Sequence, residues 1–268
     1  MARQDVTVNL PIGDPDGTIE LVGRIIDRNT TMGANSPINN DFSFAEIANG
    51  LSTIKALRKE ADKADRKSLT LHGNAMRLLG LAQAQNKKSD GTIYTETLRI
   101  RDILMVKFRE NPEELELWGF NVVVDQTEGK RTVRIEIPVG SPADFITLAE
   151  AIVEKNTAEG INSPLSSKID MVAYATNTTQ AGIDYKQAKI ESDLKESKHG
   201  EALNMLGYAP GQSSETVGTA YYLICSIRDL LLAVYSNNPE ALSEWGFDVV
   251  VTESAMPGND DNPTPPVG

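Results

Sequence analysis

Only two histidines occur in the 268 residues, His72 and His199, and each is followed by glycine. An imidazole can ligate a metal, move a proton near neutral pH, or act as a hydrogen-bonded scaffold group. The first two uses need partners at fixed spacing, and no H-x-x-x-H, H-E-x-x-H or C-x-x-C supplies them. A scaffold role is therefore expected for both, with a paired-imidazole metal or pH-sensing site as the alternative should the fold bring them together. Arg101-Asp102 and Arg228-Asp229 form the second constellation. By helical spacing Arg101 lies on the stripe of Tyr94, Leu98, Met105 and Phe108, so its guanidinium must snorkel or be paired. An ion pair within the fold is the expectation, although a carboxylate-binding pocket would use the same geometry. His72, His199, Arg101, Asp102, Arg228 and Asp229 are thus the polar candidates if a ligand pocket exists.

The rest of the catalytic vocabulary is missing. Neither G-x-G-x-x-G nor G-x-x-x-x-G-K-[ST] occurs, and no G-x-S-x-G elbow offers a nucleophile. Carboxylates are scattered among lysines in helical order, so no acid and base pair stands out. The expectation is a protein that is not an enzyme, with no catalytic residue, cofactor or metal assigned. Trp118 and Trp245 each precede Gly-Phe, an arrangement that reads as a core plug at a corner of the chain.

These candidates recur in register because the text itself recurs. Asn111-Pro-Glu-Glu-Leu-Glu-Leu-Trp-Gly-Phe-Asn-Val-Val-Val124 returns 127 residues later as Asn238-Pro-Glu-Ala-Leu-Ser-Glu-Trp-Gly-Phe-Asp-Val-Val-Val251. Carried back without a gap, that offset aligns 6–124 with 133–251, and 40 of the 119 pairs are identical. The spacing reads as a tandem duplication in which each copy is one folding unit. Residues 1–127 are expected to form the first copy, 128–254 the second, and 255–268 a Pro/Asp-rich tail without core-forming content.

Within each copy the pattern predicts the same elements. Val6 to Leu10 and Val133 to Ile137 alternate as half-buried strands. A helix begins near Pro15 or Pro142 and stops at Gly33 or Gly160. From about 40 to 80 the apolar positions keep a helical period, as one long helix or two broken near Gly73 or Gly200. A polar loop over 81–91 comes next, then an amphipathic helix from Thr92 to Glu110. The shared box predicts an Asn111 N-cap, a short helix from Pro112 to Trp118, a left-handed exit at Gly119 and a strand from Phe120 to Val124. Asn121 to Ile137 is expected to make a hairpin at the junction. The fold class is mostly α (α+β): two copies of a roughly four-helix bundle flanked by short terminal strands.

Composition limits the partners. The net charge of −12 is uneven: residues 1–127 hold 16 basic against 18 acidic side chains, and 128–268 hold 10 against 20. Such a surface repels phosphate backbones, and no stretch is apolar enough for a membrane span, so neither nucleic acid nor a bilayer core is an expected partner. The N-terminus lacks an apolar leader and the single Cys225 excludes an internal disulfide, which makes the cytoplasm the default compartment, with non-classical export left open. The leading expectation is a structural or scaffold protein that assembles with itself, through unlike ends as a filament or through strand contacts. The alternatives are a small-molecule binder or enzyme with its pocket in the bundle or between copies, and an adaptor that holds another protein through the acidic second copy.

Overall fold

The computed structural model describes residues 4–83, 91–127 and 130–253. The tail expected over 255–268 and most of the polar loop expected over 81–91 fall outside these residues. The chain is mostly helical with a few short strands. In order it runs β1 (Gln4–Asn9), α1 (Pro15–Met32), α2 (Phe44–Leu79), α3 (Ile93–Lys107), β2 (Asn121–Thr127), β3 (Lys130–Glu136), α4 (Pro142–Glu159), α5 (Met171–Leu206), α6 (Ala220–Val234) and β4 (Asp248–Glu253). Short 3-10 segments come after α1 and α4, and longer ones, Pro112–Trp118 and Pro239–Trp245, lead into β2 and β4.

Local chemistry explains the boundaries. Asp14 accepts from the amides of Asp16 and Gly17 at the start of α1, with Pro15 at the first position, where a missing N–H is harmless. Ser141 caps α4, and Thr92 and Thr219 cap α3 and α6, each through its hydroxyl. The stop at Gly33 has φ of 53° but ψ of −126°, so it is a positive-φ exit outside the left-handed helical region. Gly119 does take the left-handed conformation, at φ 85° and ψ 1°, and a Cβ there would come within 2.8 Å of the Ala151 methyl. One local expectation is corrected here, the Asn111 cap, and one left open is decided, the break in the second helix. Pro112–Trp118 is a 3-10 helix, and Asn111 makes no side-chain cap bond, the tighter spiral being closed by Gly119 and Phe120 amides bonding back to Glu116 and Leu115. The run from 44 to 79 is one unbroken 36-residue helix, and Gly73 sits on its exposed face without interrupting it.

That length has a consequence for packing. A helix of 36 residues is about 54 Å long, so the elements attached at its two ends cannot enclose the same small core. The chain accordingly divides into two compact units whose borders fall inside α2 and α5: unit one holds residues through Ala61 and from Glu196 onward, unit two holds Asp62–Lys195. The expectation that residues 1–127 and 128–254 each close their own interior is not what the packing shows.

In unit one, Leu21, Val22 and Ile25 of α1 and Leu51 of α2 pack with Ile224, Ile227 and Leu231 of α6, and with Leu242, Trp245 and Phe247. Beside them Thr18 Oγ1 and Tyr208 Oη lie 2.6 Å apart, and Tyr208 donates onward to the Pro11 carbonyl at 2.7 Å. β1 pairs antiparallel with β4 in the register Val6 to Val251. The terminal strands expected to offer themselves to another chain are therefore joined to each other. Unit two packs Leu79, Ile100, Leu104, Leu115, Trp118 and Phe120 against Phe145, Leu148, Ile152 and Tyr174. There β2 and β3 form the expected hairpin ladder, Val124 opposite Val133. Within unit two α2 and α5 run antiparallel: Asp65 pairs with Lys195 at 3.0 Å, Lys67 with Glu191 at 2.5 Å, and the Ser68 hydroxyl donates to the Ala188 carbonyl at 2.8 Å.

Candidate functional site

The six polar candidates do not assemble into one site. His72 is exposed on α2 in unit two, its ring centroid 6.1 Å from that of Tyr185, and His199 is exposed on α5 in unit one. Arg101 is partly covered and pairs with the neighbouring Asp102, whose Oδ1 accepts from Nε at 2.9 Å and Nη2 at 2.7 Å. Arg228 repeats this with Asp229 at 2.8 and 2.7 Å. Each guanidinium is thus paired, with its nearest neighbour in sequence and at the surface. Arg228 and Asp229 also line a shallow groove with Tyr221, Tyr222 and Cys225. Burial pushes the Cys225 thiol upward, against the pull of the Arg228 charge, which leaves it a poor nucleophile at neutral pH. Among the described residues no cluster of three or more His, Cys, Asp or Glu side chains could hold a metal ion, and no helix is long and apolar enough to cross a membrane.

Two features that the spacing of polar residues did not mark are better formed. The first is a stripe on α5 within unit two, where Val172, Ile183, Ile190 and Leu194 are 79%, 55%, 58% and 43% exposed. At 100° per residue all four lie within a narrow arc of one face. The alternation of apolar and charged residues along α5 was readable, but whether that arc faced a core or solvent was not. The second is a cavity of about 390 Å³ in unit one. Ile19 and Val22 come from α1, Phe42 from the loop before α2, Ile47, Leu51 and Ile54 from α2, Leu206 from the end of α5 and Leu223 from α6. Its wall is mostly apolar, and among the described residues Glu46 is the one charged group in the lining.

Electrostatics separate the units. By sequence, residues 1–61 with 196–268 hold 8 basic and 18 acidic side chains, whereas 62–195 hold 18 and 20. Unit one is strongly acidic and unit two close to neutral. No family model, curated protein or solved structure matches the chain.

Proposed function

We propose that the chain is a non-enzymatic structural protein, two fused copies of one helical unit, which assembles with copies of itself. The recurring text, and the recurrence at the same 127-residue spacing of α1 in α4, α2 in α5 and α3 in α6, support the duplication. The observation that carries self-assembly is the exposed stripe of Val172, Ile183, Ile190 and Leu194. Burying one such side chain contributes about 1.5–3 kcal/mol, so two stripes meeting face to face provide a driving force. Charge selects the partner. The near-neutral unit two of a second copy can approach this stripe, while two acidic units one repel each other. A pair of α5 stripes meeting about a two-fold axis closes as a dimer.

Light scattering across a range from micromolar to near-millimolar protein tests the reading. Ile183→Glu with Ile190→Glu places charge on the exposed face of a helix and leaves the core alone, so helical content should be retained. The expected result is an assembling parent and a variant whose self-affinity falls by a hundredfold or more. A parent that stays monomeric throughout, or a variant that assembles like the parent, removes the proposal.

A further inference from the structure

The cavity in unit one has a counterpart in unit two, and the two have been finished differently. In unit two the ring of Tyr174 is buried, with its hydroxyl 2.8 Å from Thr97 Oγ1. Offset by 127 residues, Ile47 stands in unit one where Tyr174 stands in unit two, and Ile224 where Thr97 stands. Gly50 replaces Asn177. Leu223 and Ser226 replace Glu96 and Arg99, which form an ion pair at 2.8 Å. Each of Ile47, Gly50, Leu223 and Ser226 brings less bulk or less charge than its counterpart. The outcome is a more apolar cavity of about 390 Å³ in unit one, against one of about 310 Å³ in unit two whose lining includes Lys168, Asp170, Glu96 and Arg99.

Gly50 leaves part of the cavity wall without a side chain. It sits inside α2, where glycine costs about 0.5–1 kcal/mol relative to alanine. A Cβ at that position would meet nothing within 4 Å, so no close approach of another group requires the glycine. Its effect is to leave the cavity wall open.

We propose that this cavity binds an uncharged, ring-bearing apolar small molecule, of the bulk of a two-ring aromatic or a small terpenoid. The volume falls in the range of small-molecule sites, about 300–1,000 Å³. An aromatic ring is what unit two itself places at the corresponding position. Two hydroxyls of the wall are already engaged: Ser226 Oγ donates to the Tyr222 carbonyl at 3.0 Å, and Thr219 Oγ1 donates to the Thr216 carbonyl at 2.9 Å while accepting from the Tyr222 amide. A ligand rich in hydrogen-bonding groups would find few partners in so largely apolar a wall. Glu46 and the acidic surroundings disfavour an anion.

The test uses the full chain and N-phenyl-1-naphthylamine, an uncharged probe with a naphthalene and a phenyl ring that fluoresces on leaving water. Two variants close the cavity by different routes. Gly50→Leu projects a side chain into it and improves the helix, so binding should weaken at least tenfold while the melting temperature holds or rises. Ile47→Tyr with Ile224→Thr rebuilds the hydroxyl pair of unit two and should have the same effect on binding. Ile183→Glu with Ile190→Glu should leave the probe in place, which separates this site from the assembly surface. Saturable binding of one probe per chain, lost in both cavity-closing variants, supports the proposal. No saturable binding to the parent, or binding undiminished in the two cavity-closing variants, overturns it.

Discussion

Thr18 and Tyr208 in unit one, and Thr97 and Tyr174 in unit two, each join two buried or half-buried hydroxyls across a core. The pairs are not equivalent in position. Where unit one has Thr18 and Tyr208, unit two has Phe145 and Leu81, and where unit two has Tyr174 and Thr97, unit one has Ile47 and Ile224. In both pairs the threonine belongs to the first half of the chain and the tyrosine to the second. Thr18→Phe alone should overpack against Tyr208 and cost about 1–3 kcal/mol. Tyr208→Leu alone should strand the Thr18 hydroxyl and remove the bond to the Pro11 carbonyl, at a similar cost. Together they reproduce the Phe145 and Leu81 arrangement, and most of the loss should return, giving a coupling of at least about 1 kcal/mol in urea unfolding. Additive losses would show that the two sites do not read each other. A sequence alignment marks these positions as mismatches, but which mismatch compensates which depends on what faces what. Trp118 and Trp245 were legible because a large aromatic beside a left-handed glycine has few places to go, and both are buried.

α2 and α5 carry the ion pairs that hold their antiparallel contact in unit two. Glu191 accepts from Lys67 Nζ at 2.5 Å and from the Gln187 amide at 3.0 Å, and these bonds hold its carboxyl below the usual 4.5. A carboxyl whose folded pKa lies under its unfolded one stabilises the fold above the unfolded value, and that contribution is lost as pH falls through the folded pKa. Glu191→Gln should therefore melt earlier than the parent at neutral pH, and the gap should close as pH drops well below 4.5. Melting curves across that range check it; a gap that widens in acid contradicts the assignment. Most elements could be read from sequence because their punctuation is strong: proline at the start of α1 and α4, threonine hydroxyls capping α3 and α6, glycine at the exits. The continuity of α2 was harder to see. Glycine weakens a helix without ending it, and Gly73 lies on an exposed face where nothing forces a bend.

A repeat fixes a period and leaves its phase open, since any window of 127 residues contains the same set of elements. The long helices choose the phase: they carry the chain from one core to the other, so each core draws on both halves of the sequence. A chain limited to 62–195 holds the whole of unit two's core and should unfold cooperatively as a monomer by circular dichroism and light scattering. A chain limited to 1–127 holds part of each core and should show no cooperative monomeric unfolding at low concentration. If 1–127 folds alone and 62–195 does not, the interior belongs to the sequence copy after all.

The β1 and β4 ladder sets how tension would travel through the polypeptide. Gln4 lies opposite Glu253 and Asn9 opposite Asp248, so both ends leave from the same side of the ribbon. Pulling them apart loads the rungs one after another, as in a zipper, instead of shearing all of them at once. Unit one would be stripped strand by strand at modest force, while the uninterrupted segment 62–195 bears load only after the outer part has come undone.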